Sequence, residues 1–206
     1  MRRRDAVTLP VVKVFLGITG ASGAPYAKGI LDGVAAAGAE VGLCASSAGI
    51  EVLATELYRD ASLPRDEVLE RFVGDTAGSV TIYDAQDWKS PFASGSAKVD
   101  AYVVCPCSMS TVGTLASGAM QNLIHRAASV ALKEERKLVL CPRETPLSLI
   151  ALENMVTLRR AGATILPLAP GFYHGAPSVE ALVDFVVARV LDQIGVENTV
   201  AARWGR

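Results

Sequence analysis

The sequence predicts an α/β fold in which a parallel sheet of about six strands lies between two layers of helices. Three observations carry that expectation. Short apolar runs rich in β-branched residues recur along the whole chain, and they alternate with longer stretches of helical periodicity. The runs are mostly apolar instead of alternating with polar residues, as strands covered on both faces require. Glycine and proline fall at the seams between the two kinds of segment, where helices begin and end.

Taken in order, the expected elements are a strand at Val12–Ile18, a helix at Pro25–Ala37, a strand at Val41–Ala45 and helices at Gly49–Tyr58 and Arg65–Phe72. Strands at Ser79–Tyr83 and Ala101–Cys105 follow, then helices at Ser110–Ser117 and Leu123–Glu134. The last four are a strand at Leu138–Cys141, a helix at Leu147–Ala161, a strand at Thr164–Pro167 and a helix at Ser178–Ile194. Ala24-Pro25 and Ala176-Pro177 place proline where a first helical turn tolerates it, and Ala37-Gly38 and Ala161-Gly162 place glycine just past a helix end. No internal repeat or low-complexity linker interrupts the series. The 206 residues therefore form one domain, with a core over about 12–195 and a tail at 196–206.

Composition excludes several classes of function. Half of the residues are hydrophobic and 20% are charged, the make-up of a packed globule. The net charge is −1, and Arg2-Arg3-Arg4 is the longest basic tract, so a nucleic-acid partner is not expected. Mean hydropathy is +0.32 with only 6% aromatic residues, a surplus that points to surface buried against further copies of the chain. Residues 101–124 carry no charge, but Pro106, two glycines and seven Ser, Thr, Gln or Asn residues break them into strand, loop and helix, not a membrane span. At the N-terminus, Asp5 and Lys13 interrupt what otherwise looks like a leader. Cys44, Cys105, Cys107 and Cys141 lack metal-ligand spacing and read as reduced core residues of a cytoplasmic protein.

Ligands of such a sheet bind beyond the carboxyl ends of its strands, so the chemistry belongs in the loops that follow them. After the first strand, Gly17-Ile18-Thr19-Gly20-Ala21-Ser22-Gly23 leads into a helix, which offers glycine-flanked amides to an anion. The spacing is neither that of a dinucleotide fingerprint nor that of a P-loop. The second strand ends in Ser46-Ser47 where a nicotinamide-binding fold places an acid for the ribose, which favours a mononucleotide such as FMN; two helix caps are the alternative. Cys107-Ser108-Met109-Ser110-Thr111 brings hydroxyls to another helix start, and two thiols without further ligands make a poor metal site. Arg143-Glu144 at the end of the fifth strand costs solvation to bury unless both charges are used, which marks a catalytic pair or a structural ion pair. Tyr173, Arg189, Arg126 and Lys133 supply a hydroxyl and cations able to receive a phosphate if they converge. His125 and His174 are lone histidines without a nucleophile elbow.

Six motifs in order, Gly20-Ala21-Ser22-Gly23, Cys107-Ser108-Met109-Ser110-Thr111, Leu132-Lys133-Glu134-Glu135-Arg136, Arg143-Glu144-Thr145-Pro146-Leu147, Gly171-Phe172-Tyr173-His174 and Arg203-Trp204, resemble the UbiX/Pad family of flavin prenyltransferases over about Val12 to Trp204. The resemblance implies a Rossmann-like flavoprotein fold, assembly into dodecamers, and transfer of a dimethylallyl group from dimethylallyl phosphate to N5 and C6 of reduced FMN. The product, prenylated FMN, serves UbiD-type decarboxylases. Residue by residue, the resemblance puts FMN on Gly20, Ala21, Ser22, Ser46, Ser108, Met109, Ser110, Thr111 and Arg143, with Arg126 beside it. It puts the prenyl phosphate on Lys133, Tyr173 and Arg189, makes Glu56, Glu144 and Ser22 candidates for proton transfer, and sets Trp88 near the allyl group. Relatives often carry a histidine where this chain has Ala151, and Ala-Asp where it has Ala128-Ser129.

The implied chemistry suits the residues. An allylic carbon losing phosphate becomes a delocalised cation, so the protein must hold its partners, stabilise the leaving phosphate and exclude water, without a metal. Lys133, Arg143 and Arg189 neutralise phosphate, and the faces of Trp88 and Tyr173 favour a carbocation. Glu144, Glu56 or the released phosphate takes the C6 proton. Two other readings are a non-catalytic FMN carrier and an FMN-dependent cysteine decarboxylase; the latter class uses a histidine on the helix after the second strand and a Pro-x-Met-Asn loop, both missing here.

Overall fold

The computed structural model describes residues 12–173 and 175–201; Arg2, Arg3, Arg4, His174, Arg203 and Trp204 lie outside them. Six parallel strands, β1 (Lys13–Ile18), β2 (Glu40–Ala45), β3 (Val80–Tyr83), β4 (Ala101–Cys107), β5 (Lys137–Pro142) and β6 (Thr164–Ile165), form one sheet in the order β3-β2-β1-β4-β5-β6. Helices α1 (Ala24–Ala36), α2 (Ser47–Tyr58), α3 (Arg65–Val73), α4 (Met109–Ala116), α5 (Leu123–Lys133), α6 (Leu149–Arg160) and α7 (Val179–Ile194) connect them. This is the expected α/β architecture, a doubly wound sheet whose strand order reverses between β1 and β4. A crevice opens at that point because the chain leaves the two neighbouring strands toward opposite sides.

The strands are buried on both faces, which divides the core in two. On one face Val14, Leu16, Ile18, Leu43 and Val103 pack against Ile30, Leu31, Leu53, Phe72, Val187 and Leu191, covering the sheet with α1, α2, α3 and α7. On the other, Phe15, Tyr102, Val104 and Leu140 meet Phe92, Val112, Leu123, Ile124, Val130 and Leu158, so α4, α5 and α6 lie there. The strand parity is the cause: successive side chains point to opposite faces, and beyond the strand-starting Lys13, Glu40 and Lys137 those of β1, β2, β4 and β5 are apolar.

Local differences from the expected elements have local reasons. β4 runs on to Cys107, which pairs with Pro142 after a register shift. α6 starts at Leu149 because Ser148 Oγ accepts the Ala151 N–H at 3.2 Å and caps the helix there. β6 keeps only Thr164 and Ile165 in its ladder. Two short 3-10 helices, Gly74–Ser79 and Pro91–Ala93, add to the expected elements; periods of so few residues leave no sequence signal. The uncharged stretch over 101–124 resolves into β4, α4 and the start of α5, and among the described residues no helix is long and apolar enough to cross a membrane.

Candidate active site

Four loops meet at the carboxyl edge of the sheet around the switch point. The first, between β1 and α1, is tied by Thr19 to the end of β4 and to Ser108 in the β4–α4 loop. Its backbone N–H and its Oγ1–H both donate to the Pro106 carbonyl, at 3.1 and 2.9 Å, and its Oγ1 accepts the Ser108 N–H at 2.8 Å. The second loop, between β2 and α2, closes on the first. Ser46 N–H donates to the Ile18 carbonyl at 3.0 Å, and a Cβ on Gly20 would lie 2.5 Å from the Ala48 Cβ, so only glycine lets the two turns approach this closely. The fourth, after β6, joins through Leu168: its N–H donates to the Pro142 carbonyl at 3.0 Å, and its side chain lies against Gly23, where φ is +139° and an added Cβ would be 2.7 Å from Leu168 Cδ1.

Helix starts gather in this crevice, and they are not equivalent. Sequence reading expects the α1 N-terminus to receive an external anion. The structure corrects this: Gly23 and Ala24 N–H donate to Glu56 Oε2 at 2.9 and 2.7 Å, so a carboxylate from the last turn of α2 already fills the site. The α2 and α4 starts are different. Ser46 Oγ caps Gly49 N–H at 3.1 Å and Ser108 Oγ caps Thr111 N–H at 3.3 Å, while the N–H groups of Ser47, Ala48, Met109 and Ser110 donate to no acceptor among the described residues. Ser108 Oγ also lies 3.1 Å from Thr111 Oγ1. These open amides and hydroxyls, with Gly20 and Ser22 exposed beside them, form a cradle suited to a phosphorylated, polar ligand such as FMN.

The remaining predicted residues divide between the two layers. Arg143 and Glu144 are exposed at the end of β5, and no ion pair joins them among the described residues; Glu144 Oε1 instead accepts the Thr145 N–H at 3.1 Å. The expected cost of burying that pair is therefore not incurred within one chain. Trp88 stands 47% exposed in the loop after β3. Arg126, in the first turn of α5, donates through Nε to the Ala93 carbonyl at 2.9 Å. Tyr173 is 68% exposed and meets Phe185 edge-on at 6.0 Å, with Arg189 one turn further along α7 and paired with Asp192.

Lys133 is the outlier. It ends α5 beside Gly95 and pairs with Glu134, near the amino edge of the sheet where β5 begins, whereas the flavin-type cradle sits at the carboxyl edge. Moreover, α5 covers one face of the sheet and α7 the other. One copy of the chain thus does not bring Lys133 and Arg126 to Tyr173 and Arg189. Next to the exposed Arg143-Glu144 pair, Leu149, Ile150, Leu152 and Val156 leave a run of α6 open at 69, 71, 44 and 47% exposure. An apolar surface of this kind beside polar groups is what a self-associating chain presents.

Electrostatics agree with a site built from positioned dipoles more than from buried charge. All four cysteines are free and buried. Burial pushes the Cys44 thiol up to about 12 and raises Cys107, and the hydrogen bond with Cys105 together with burial raises Cys141, so all three favour the neutral thiol. Burial lowers His125, whose Nδ1 accepts the Gln121 N–H at 3.3 Å. Among the described residues no group of His, Cys, Asp or Glu side chains could hold a metal ion. Sequence reading missed two features. Thr19 sits inside the quoted glycine loop without an assigned role, and its one signal is a β-branched hydroxyl directly after a buried strand. The Glu56 bond to α1 spans 33 residues, and no spacing rule announces it.

Comparison with known proteins places this geometry. A profile of the Flavoprotein family matches residues 3–191. The flavin prenyltransferase UbiX of Pseudomonas aeruginosa is 48% identical over 198 residues, covering 94% of both chains. The flavin prenyltransferase UbiX of Methanocaldococcus jannaschii is 42% identical over 94% of this chain and 99% of its own. Among solved structures, AnUbiX in complex with FMN and dimethylallyl pyrophosphate superposes with a TM-score of 0.84 at 34% identity, covering 95% of this chain and 98% of that one. A dodecameric, FMN-dependent UbiX-like decarboxylase from Escherichia coli O157:H7 does so with a TM-score of 0.83 at 36% identity, over 95% and 100%. The FMN-dependent cysteine decarboxylase TvaF shares the fold alone, at 16% identity and a TM-score of 0.60.

Proposed function

The chain belongs to the Flavoprotein family and, within it, to the UbiX flavin prenyltransferases, and from that premise we propose that this transferase joins the dimethylallyl group of dimethylallyl phosphate to N5 and C6 of reduced FMN. The prenylated flavin then passes to a UbiD-type decarboxylase in the cytoplasm. The observation that carries the reading is the cradle of open amides and hydroxyls at the starts of α2 and α4, which face the Gly20–Ser22 turn at the switch point.

In this reading the flavin phosphate lies on Ser46 and on Ser108, Met109, Ser110 and Thr111, where helix dipoles and unpaired N–H groups favour an anion. The α1 start is closed to it by Glu56, so Gly20, Ala21 and Ser22 border the ring instead of the phosphate. Arg143 and Glu144 reach over from the end of β5. Reduced FMN supplies nucleophilic N5 and C6 positions; the chain supplies orientation, shielding from water and a place for charge.

As the allylic C–O bond breaks, the phosphate keeps the electron pair, and positive charge spreads over the departing allyl group. Lys133, Tyr173 and Arg189 hold the phosphate, while the rings of Trp88 and Tyr173 face the cation. Bonding of the allyl cation at N5 releases the N5 proton; a proton returned to the remaining C=C bond restores a cation, and its bonding at C6 releases the ring proton, for which Glu144 is the exposed carboxylate nearest the β5 end, with Glu56 and Ser22 at the other side of the crevice. Because Lys133 and Arg126 lie on the opposite layer from Tyr173 and Arg189, the phosphate site is completed between copies of the chain. The open α6 surface and the dodecameric relative support assembly of this kind. Against a cysteine decarboxylase, α2 (Ser47–Tyr58) has no histidine.

Incubation with reduced FMN and dimethylallyl phosphate tests the proposal. A flavin heavier by one C5H8 unit is the expected product, and a parallel reaction with the pyrophosphate identifies the preferred donor. An unchanged flavin mass with folded protein and bound FMN supports the carrier reading instead.

A further inference from the structure

We propose that Thr19, a residue to which the flavin reading assigns no role, is the positioning residue that sets the gap between the two loops holding FMN. This inference rests on the assignment of the β1–α1 and β4–α4 loops to the flavin.

Thr19 is 3% exposed and stands where the sheet's strand order reverses, directly after β1. Its hydroxyl is used in both directions, donating to the Pro106 carbonyl at 2.9 Å and accepting the Ser108 N–H at 2.8 Å. Its own N–H adds a third bond across the gap, to the same carbonyl, at 3.1 Å. Ladder pairing between β1 and β4 stops at Gly17 and Val104, so beyond those residues no regular strand bond holds the two loops together. The three Thr19 bonds take over there. A backbone bond alone would fix the distance between the loops; the hydroxyl also fixes the direction of Ser108, the residue whose Oγ caps α4. With the Ser108 N–H committed to Thr19, the open Met109 and Ser110 N–H groups next to it are held in one orientation toward the crevice. Preorganised donors of this kind bind an anion without spending affinity on ordering the loop. No other described side chain bridges the β1–α1 and β4–α4 loops by a hydrogen bond.

Thr19→Val keeps the branched shape and removes both hydroxyl bonds, leaving the Ser108 N–H without its acceptor. Thr19→Ser keeps the hydroxyl and removes the methyl group. FMN affinity, the circular dichroism of bound flavin and hydrogen exchange of the 105–112 peptide in the ligand-free protein are measured for both variants and the parent. Thr19→Val is expected to bind FMN about tenfold more weakly, to exchange the Ser108 amide faster and to change the flavin spectrum, and Thr19→Ser to restore all three. Should Thr19→Val fail to fold, Thr19→Ser and Thr19→Ala carry the same contrast. Equal FMN affinity and equal exchange in Thr19→Val and parent overturn the proposal, as does a Thr19→Ser variant as weak as Thr19→Val or Thr19→Ala. Faster exchange in Thr19→Val beside a parent that binds no FMN leaves the clasp in place and refutes the flavin assignment.

Discussion

The two halves of the crevice are built differently. Around β1, β2 and β4 the loops are tied to one another within a single chain by bonds of Thr19, Ser46, Ser108 and Glu56, of which Thr19 is buried and the other three half-buried. From the end of β5 through α6 to the start of α7, Arg143, Glu144, Leu149, Ile150, Phe172 and Tyr173 stand exposed, and Lys133 and Arg126 of α5 lie on the opposite layer from Tyr173 and the α7 residue Arg189. On the proposed function, the contrast makes flavin binding a property of the fold and the allyl-phosphate half a property of the assembly. Backbone amides at strand ends are positioned by the sheet itself, but long exposed side chains become precise only when a second surface confines them.

The widest test of this contrast removes the assembly. Leu149→Glu with Ile150→Glu places charge on the open α6 surface and should yield smaller particles by light scattering, with turnover down about 1,000-fold and FMN affinity changed far less. Equal losses of both would erase the distinction between the halves. Within the exposed half, Glu144→Gln should slow prenylated flavin formation about 100-fold while FMN stays bound; full turnover would move the proton acceptor elsewhere.

Within the tied half, Glu56 separates geometry from charge. Glu56→Ala leaves the Gly23 and Ala24 amides without their acceptor and should cost about 1–3 kcal/mol of stability in denaturant unfolding. Glu56→Gln retains an accepting oxygen and should recover most of it. If Gln matches the stability but not the turnover, Glu56 also carries a proton.

The smallest effect concerns His125, which is buried and lowered below its ordinary 6.5. The unfolded chain takes up a proton there first, so stability should be constant above that value and fall as pH drops from it toward the lower folded value. His125→Gln should flatten the slope contributed by this group, read from unfolding midpoints between about pH 7 and 5.

Much of this architecture is legible in the sequence, for physical reasons that also mark where legibility stops. The central strands are readable because a parallel sheet demands largely apolar runs, the edge strands β3 and β6 through their β-branched residues, and the helix ends at Gly38 and Gly162 because φ is +74° and +110° there. The glycine turn and the hydroxyl-rich α4 start are local in sequence and hence visible. Glu56 on α1 and Thr19 on Pro106 are contacts between residues 33 and 87 positions apart, and no local pattern encodes them. Arg143 and Glu144 are exposed and unpaired with each other, so the reading as a structural ion pair is not met within one chain; position at a strand end does not by itself determine enclosure. Lys133 fails to join Arg189 for a related reason: sequence order says nothing about which layer a helix covers.

The most direct measurement of the shared site is subunit complementation. Lys133→Ala and Arg189→Ala chains, each inactive alone, are co-expressed with different affinity tags, and assemblies containing both are isolated. If the phosphate site takes Lys133 from one copy and Arg189 from another, about one quarter of the sites in a random mixed assembly hold both residues, and prenyl transfer returns to about that fraction. A mixed assembly as inactive as its parents would place the whole site in a single chain and contradict the account.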